Sequence, residues 1–565
     1  MAVRIRQQIK DILRQSIGGD IDISLTIPPK LEMGDFSFAL FELAKEQKKN
    51  PVELAAQLAV KLMQDVGDKN LIVEVQAVGP YLNIFVDKTA VVAEALKTKV
   101  APKKGRGKIA LDVFQANPLK MFHIGHLLNA TLGDSLRRIV EFNGYKTATY
   151  SYSGDVGVHV AKWLWYYKNF YKGNVPKKEF NRWAGEVYAA ACAKAAENSD
   201  YEKEINEINR LIDRRDKSIV SLWKKMTRAS YKASWQIAKI LDCRVDYSFP
   251  ESICEDPGKK FVQAKMKSGS VKKDQGAWVI DLQQYKLGVF ILIKTDGTAL
   301  YQTKDLGLAQ LRQKKIGKYD KCLFVVGGEQ EFYFRQLFKT LEILGHPDAG
   351  KCEHVSHGLV SLKEGKMSSR LGNVISFDEL LDRAQEKILE AINLKNPDLK
   401  NKNKVARIVA LGALKFSMLH AERTHNVVFD WEQALSFEGN SGPYLQYSYA
   451  RIRAIERKFK RGKSKIRAGK IDYSLLVNVA ELRLIRVVSR FGTAVEKSFE
   501  SYQPSVISNY LIELASEFNH FYHECKVVDP EHMALSFVRL ELLKKVAEVL
   551  KQGLYLLGID VVEEM

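Results

Sequence analysis

Two histidines three residues apart, His123 and His126, bracket Ile124-Gly125 soon after the apolar run IALDVF and an Asn117-Pro118 break. The pattern that follows places them at the start of a helix ending near Asn143-Gly144. Free N–H groups and positive potential at a helix N-terminus suit a phosphate. Two imidazoles can donate to a phosphoryl group that gains negative charge, and Gly125 lets a flat base approach the backbone. Taken alone, the four residues fit a zinc pair or ordinary helix histidines equally well, and their place after a strand favours the nucleotide. A second run, KMSSRLGNV from Lys366 to Val374, offers a lysine, a thioether, the Ser368 and Ser369 hydroxyls and the Arg370 guanidinium. By itself it also describes a solvated loop.

These side chains need a scaffold. At about 100 to 200 residues per domain, 565 residues predict several units. Hydrophobic content of 46% with 27% charged residues is that of a soluble globular protein, and no apolar run approaches the roughly 18 residues of a membrane span. The opening MAVRIRQQIKDILRQSI lacks the block pattern of a secretory signal, and Asp11 argues against a transit peptide. Six scattered cysteines without a C-x-x-C pair argue against a disulfide framework or a structural zinc site and for a reducing compartment. A net charge of +20 suits a polyanionic partner, with a merely soluble basic surface as the plain alternative.

Residues 1–98 read as a compact α+β unit, with Asn50-Pro51 opening a helix and Gly79-Pro80 turning into the strand YLNIFV. The basic stretch KTKVAPKKGRGK marks a boundary. From Ile109 strands alternate with helices, which predicts an α/β unit with a parallel sheet over 99–403. A helical insertion over about 160–250 interrupts it; GAWVIDL and GVFILIKTDG are expected to resume the sheet, and CLFVVGG followed by EQEFYFRQLF is a further strand–helix unit. Residues 404–565 are helical by pattern. The aromatic run WLWYYKNFYK from Trp163 reads as core, with base stacking as the lesser alternative.

Together the two loops are far more specific than either one. H-I-G-H followed about 240 positions later by K-M-S-S-R resembles the class I aminoacyl-tRNA synthetases, whose two signature loops close on ATP. The surrounding text resembles the arginyl-tRNA synthetase family over nearly the whole chain. YSYSGDVGVHVAKW, GTALYQTKDLGLA, FVVGGEQEFYFRQLF, LSFEGNSGPYLQYSYARIR and the final GLYLLGIDVVEEM follow that family's order, and GDFSF, KKNPVELA and GPYLNI resemble its N-terminal domain. The resemblance implies a Rossmann-like parallel-sheet catalytic domain, an N-terminal α+β domain touching the tRNA elbow and a C-terminal all-α anticodon-binding bundle. Neither G-x-G-x-x-G nor G-x-x-x-x-G-K-[ST] occurs, which disfavours dehydrogenases and P-loop NTPases.

A guanidinium is a planar five-donor cation that asks for a carboxylate, and YQTKD sets Tyr301 and Asp305 four apart on one helical face. Asp305 is the candidate clamp. Asp112, an acid inside IALDVF, is the second, unless its side of the strand faces solvent. The resemblance aligns both with arginine recognition, adds Asn117 and Gln330 at the amino-acid end, and makes His123 a neighbour of the substrate carboxylate. For ATP it implies Gly125, His357, Gly358, Met367, Ser368 and Ser369; His354 and His357 lack the partners of a metal site and read as core or pocket wall. His123, His126, Lys120 and Lys366 are the expected catalytic groups. Many family members lack the second loop lysine and carry one just before H-x-G-H; Lys120 matches that position, while the neighbouring proline is Met121 here.

Tyr444, Tyr447 and Met565 are expected to contact tRNA, with helix packing as the competing explanation for the two tyrosines, and Glu438 and Asn440 to shape a loop beside Gly439. The implied reaction joins L-arginine to tRNA(Arg) with ATP and Mg²⁺, requires bound tRNA for activation, uses no tightly held metal or membrane, and runs in a cytoplasmic monomer. The rivals are another class I synthetase or adenylyl transferase, and a catalytically impaired synthetase-like tRNA-binding paralogue, for which Arg370 and Met121 speak.

Overall fold

The computed structural model describes residues 3–18, 22–28, 30–66, 71–363, 375–461 and 471–565. In the N-terminal part, the strands Leu25–Thr26, Phe36–Ala39, Tyr81–Val86 and Ile72–Val78 lie in that order in an antiparallel sheet. The helix Pro51–Val66 packs on it through Leu54, Ala55, Leu58 and Leu62, the four-residue spacing of one helical face. Asn50 Oδ1 accepts the Val52 N–H at 2.9 Å, and Gly79, at φ +57°, makes the expected hairpin turn.

The second unit is built on a five-stranded parallel sheet in the order Cys352–His357, Lys321–Gly327, Lys108–Asp112, Lys146–Ser153, Tyr247–Pro250. The first strand in the chain is therefore central. The helix Ile124–Phe142 packs along it and is buried over most of its length. Four helices, Val158–Asn169, Phe180–Ala196, Asp200–Asp213 and Lys217–Ile240, form the insertion. Its aromatic run is core: Trp163 and Trp165 are fully buried and donate to the Ala184 carbonyl at 2.9 Å and to Glu204 at 2.7 Å.

The sheet departs from expectation in one respect. GAWVIDL and GVFILI do not resume it; Ala277–Asp281 and Val289–Ile293 pair antiparallel with each other, beside Lys272–Asp274, in a separate three-stranded sheet. The parallel strand found in their place is Tyr247–Pro250, whose four residues are too short to show a period.

Beyond Lys402 the regular elements among the described residues are helices, except for the strand Val427–Phe429, which pairs in parallel with Val360–Leu362. The Ile124–Phe142 helix is bolted to the end of this part. Ser135 Oγ donates to the Leu556 carbonyl at 2.8 Å, and Lys415 Nζ donates to the carbonyls of Leu241 at 2.7 Å and Gly558 at 2.5 Å. Among the described residues no helix is long and apolar enough to cross a membrane.

Candidate active site

Between the first strand, ending at Asp112, and the fourth, ending at Gly327, the chain order of the sheet reverses, and ligands of open parallel sheets bind outside such carboxyl ends. A cavity of about 170 Å³ there is bordered by Asp112, Gln115, Asn117, Glu251, Asp305 and Tyr333 among others. A second, of about 230 Å³, is bordered by Gly125, His126, Gly327, Glu329, His357 and Gly358. Gln115, Val326 and Gln330 belong to both, so the two form one cleft.

Three carboxylates converge on the first cavity. Asp112 is 1% exposed, so its strand does not face solvent; Gln115 Nε2 donates to Oδ2 at 2.9 Å, while Oδ1 is buried without a partner. Burial pushes this acid well above the usual carboxylate range despite the Gln115 hydrogen bond. Asp305, on the helix Tyr301–Ile316, accepts from the Tyr333 hydroxyl, and burial raises it to about 6. Glu251, first residue of the helix Glu251–Lys267, lies 3.2 Å from Lys304 Nζ and is also raised by burial. Arg312 borders the same cavity, but its guanidinium is taken by Asp348 at 2.6 Å and by the Tyr319 and Tyr150 hydroxyls at 3.1 and 3.3 Å. Desolvated acids of this kind gain most from a cation that brings its own donors.

The neighbouring residues are less enclosed. Tyr301 is 54% exposed with its ring 5.0 Å from that of Tyr333, so Tyr301 and Asp305 meet at the same side chain. Asn117 Oδ1 accepts the Gly154 N–H at 2.7 Å.

At the second cavity His123 is the N-cap of the Ile124–Phe142 helix. Its Nδ1 accepts the Gly125 N–H at 3.1 Å, and His126 Nδ1 accepts the His123 N–H at 3.3 Å. With both Nδ1 atoms accepting, each neutral ring carries its proton on Nε2. Burial and the Lys120 charge lower His123 to about 4, and burial with the His123 and Lys120 charges lowers His126 well below its ordinary value. At pH 7 both rings are neutral N–H donors.

Lys120 Nζ lies 5.5 Å over the Tyr188 ring, beside His159 and Lys162. The loop that carries it lacks the proline but is held from the insertion: Leu119 N–H donates to Ser230 Oγ at 2.9 Å, Phe122 N–H to Asn181 Oδ1 at 2.6 Å, and Met121 packs against Gly185. Phe377 N–H donates to the Phe122 carbonyl at 2.9 Å and Ser376 bridges His123, so the chain emerging from the second signature run is anchored on the first. Lys366, Met367, Ser368, Ser369 and Arg370 lie outside the described residues.

His357 Nδ1 lies 2.8 Å from the Gly358 carbonyl and lines the second cavity, whereas His354 Nε2 lies 3.0 Å from the Val326 carbonyl and its ring packs 4.5 Å from that of Phe334, outside that cavity. Tyr444, Tyr447 and Met565 sit in the helical part. The Tyr444 hydroxyl accepts from Asn519 at 2.7 Å, Tyr447 is exposed, and the Met565 carbonyl accepts from Asn396 at 3.3 Å.

Residues 89–431 match the model of tRNA synthetases class I (R), catalytic domain; 445–565 match the DALR anticodon binding domain; and 3–86 match the arginyl tRNA synthetase N terminal domain. An arginine–tRNA ligase of Clostridium perfringens is 37% identical over 560 residues, covering 97% of this chain and 96% of that one. The chain belongs to the arginyl-tRNA synthetase family. A second arginine–tRNA ligase, from Clostridium beijerinckii, is 33% identical over 571 residues, covering 99% of this chain and 100% of its own. The solved arginyl-tRNA synthetase of Thermus thermophilus superposes with a TM-score of 0.84 at 27% identity, covering 99% of this chain and 100% of that one. Within this arginyl-tRNA synthetase fold, sequence reasoning missed Glu251, Gln115, Tyr333 and Arg312 at the cavity. Glu251 had a signal, an acid opening a helix directly after a strand, but that is ordinarily read as a complement to the helix dipole.

Proposed function

We propose that the chain activates L-arginine with ATP as arginyl-adenylate and passes the arginyl group to the 3′-terminal ribose of its tRNA. The observation that carries this reading is the buried, partnerless Asp112 Oδ1, facing with Asp305 and Glu251 a cavity continuous with the paired histidine donors. A guanidinium supplies the donors these acids lack. With Tyr301 at the mouth and Asn117 and Gln330 toward the amino-acid end, the substrate carboxylate is directed at the second cavity, with His123 beside it.

There the carboxylate oxygen attacks the α-phosphorus of ATP and pyrophosphate leaves; a ribose hydroxyl of the tRNA then attacks the adenylate carbonyl and AMP leaves. His123 and His126 donate from Nε2 to the phosphate oxygens as charge builds. Gly125, His357, Gly358 and Met367 accommodate the adenosine, and Lys366 with Ser368 and Ser369 closes on the phosphates. Lys120 supplies the second lysine charge. No side chain acts as nucleophile, so rate comes from positioning and preorganised charge. Mg²⁺ enters with the nucleotide, because this hard cation keeps waters and binds phosphate oxygens rather than a protein cage.

On this reading residues 1–98 contact the tRNA elbow, 99–403 catalyse with an insertion over about 160–250, and 404–565 read the anticodon with Tyr444, Tyr447 and Met565 at the RNA. The protein works as a cytoplasmic monomer. The test is arginine-dependent ATP–pyrophosphate exchange. Exchange is expected only when tRNA(Arg) is added; its absence with cognate tRNA present sinks the enzyme reading in favour of a tRNA-binding paralogue.

A further inference from the structure

Two of the six cysteines stand side by side behind the first cavity. Cys322 and Cys352 are register partners on adjacent parallel strands, so their side chains leave the same face of the sheet. Neighbouring strands lie about 4.8 Å apart, within the Cα separation of disulfides, although a Cβ separation of about 3.8 Å must also be reached. The strand that has to yield can do so, because Cys352–His357 is the sheet edge and, among the described residues, pairs on one side only. Cys322 is buried and Cys352 half-buried, so the pair is approached from Cys352. The Tyr150 hydroxyl lies 3.5 Å from Cys322 Sγ. Burial raises the Cys322 thiol, but the Cys352 hydrogen bond, the Arg312 charge and the Tyr150 hydrogen bond outweigh it and hold the group below the ordinary thiol range. A thiol held below its ordinary range beside a second thiol in register on the next strand is the arrangement that oxidises selectively.

We propose that Cys322 and Cys352 are a dithiol modification site, which hydrogen peroxide closes into a reversible disulfide that weakens arginine use. The Cys322 thiolate attacks one peroxide oxygen, the O–O bond breaks, and hydroxide takes the proton Cys322 had released, leaving a sulfenic acid and water. The Cys352 sulfur attacks that sulfur, the S–OH bond breaks, and a second water leaves with the Cys352 proton. Two thiols lose two electrons and one peroxide becomes two waters. Closure draws the edge strand inward by up to about 1 Å. It also takes the Cys322 thiol from Tyr150 and Arg312. Both strands carry cleft residues: Phe324 and Val326 follow Cys322 at the first cavity, and His357 follows Cys352 at the second.

The bond is tested without substrate, on the full-length reduced protein treated with hydrogen peroxide, by counting free thiols and by peptide mass. Loss of two thiols and a linked 322–352 peptide, reversed by dithiothreitol, is expected; absence of that peptide overturns the site whatever the enzyme does. The kinetic half depends on the arginine-activating reading. The arginine KM should rise roughly tenfold on oxidation, recover on reduction, and stay unchanged under peroxide in Cys352→Ser. Equal peroxide inhibition in Cys352→Ser, or a linked peptide with unaltered KM, refutes the coupling. Should Cys352→Ser not fold, Cys352→Ala serves the same comparison. An inactive reduced enzyme tells against the ligase reading instead, and the linked peptide is still read.

Discussion

Burial keeps Asp305 protonated in the empty cavity up to a pH of about 6, whereas an unfolded chain releases that proton near 3.8. Between those values the folded state binds the extra proton, so the unliganded protein loses stability as pH rises, by on the order of 3 kcal/mol from this group. A bound guanidinium favours the carboxylate and returns that loss. The rise in melting temperature given by saturating arginine should therefore grow from pH 5 to pH 7, and Asp305→Asn should flatten it; a pH-independent increment in the unaltered protein would exclude Asp305 as the clamp. A second residue-scale comparison concerns the phosphate charge. Lys120 acts on both signature histidines, so Lys120→Ala should slow pyrophosphate exchange far more than Arg370→Ala, and the reverse order would return the role to Arg370. At this scale Asp112, Asn117 and Asp305 were legible because an acid in an apolar strand and a motif each carry local information. Glu251 was not, because its role depends on which helix it faces.

Two helices bring that acid to the cavity, Glu251–Lys267 and Tyr301–Ile316, and they touch backbone to backbone. A Cβ on Gly258 would overlap the Thr303 carbonyl, and one on Gly307 the Cys254 carbonyl. Only glycine at both positions permits this approach, which sets Glu251, at the first residue of one helix, against Asp305 on the other. Gly307→Ala should force the helices apart at a cost of about 1–3 kcal/mol. Because both acids move, the arginine KM should rise more than the ATP KM does; equal effects on the two would indicate general unfolding rather than a displaced clamp. The Ile124–Phe142 helix and the central strands were readable from period and cap, since their signals are local. The separate antiparallel sheet was not: strand pairing is a long-range choice, and GVFILI looks the same whether its neighbour is parallel or antiparallel.

Across the whole molecule, the helix that presents His123 and His126 at one end is gripped at the other by the last residues of the chain. Asp134 pairs with Arg137 at 2.8 Å and Arg138 at 2.6 Å, Arg138 Nη1 donates to the Tyr555 carbonyl at 3.2 Å, and Ser135 donates to Leu556. No sequence signal links residues more than 400 positions apart, so this seam between catalytic and helical parts emerges only in three dimensions. It joins the part expected to read the anticodon to the helix expected to bind ATP. Burial tends to raise Asp134, but the Arg138 and Arg137 charges outweigh it and hold the acid below the usual carboxylate range. Its contribution is therefore present above the unfolded pKa and lost as pH falls through the lower folded value. Asp134→Asn takes one of two carboxylates from each buried guanidinium, leaving Arg137 to Glu141 at 2.7 Å and Arg138 to Asp242 at 2.7 Å, at a cost of about 1–3 kcal/mol. Scanning calorimetry of the full chain at pH 7 should then show a lower unfolding temperature, with the deficit starting to shrink once the pH falls below the unfolded value, because the unfolded chain then takes up a proton that the native carboxylate refuses. A deficit unchanged with pH would mean that lost packing, rather than lost charge, opens the seam.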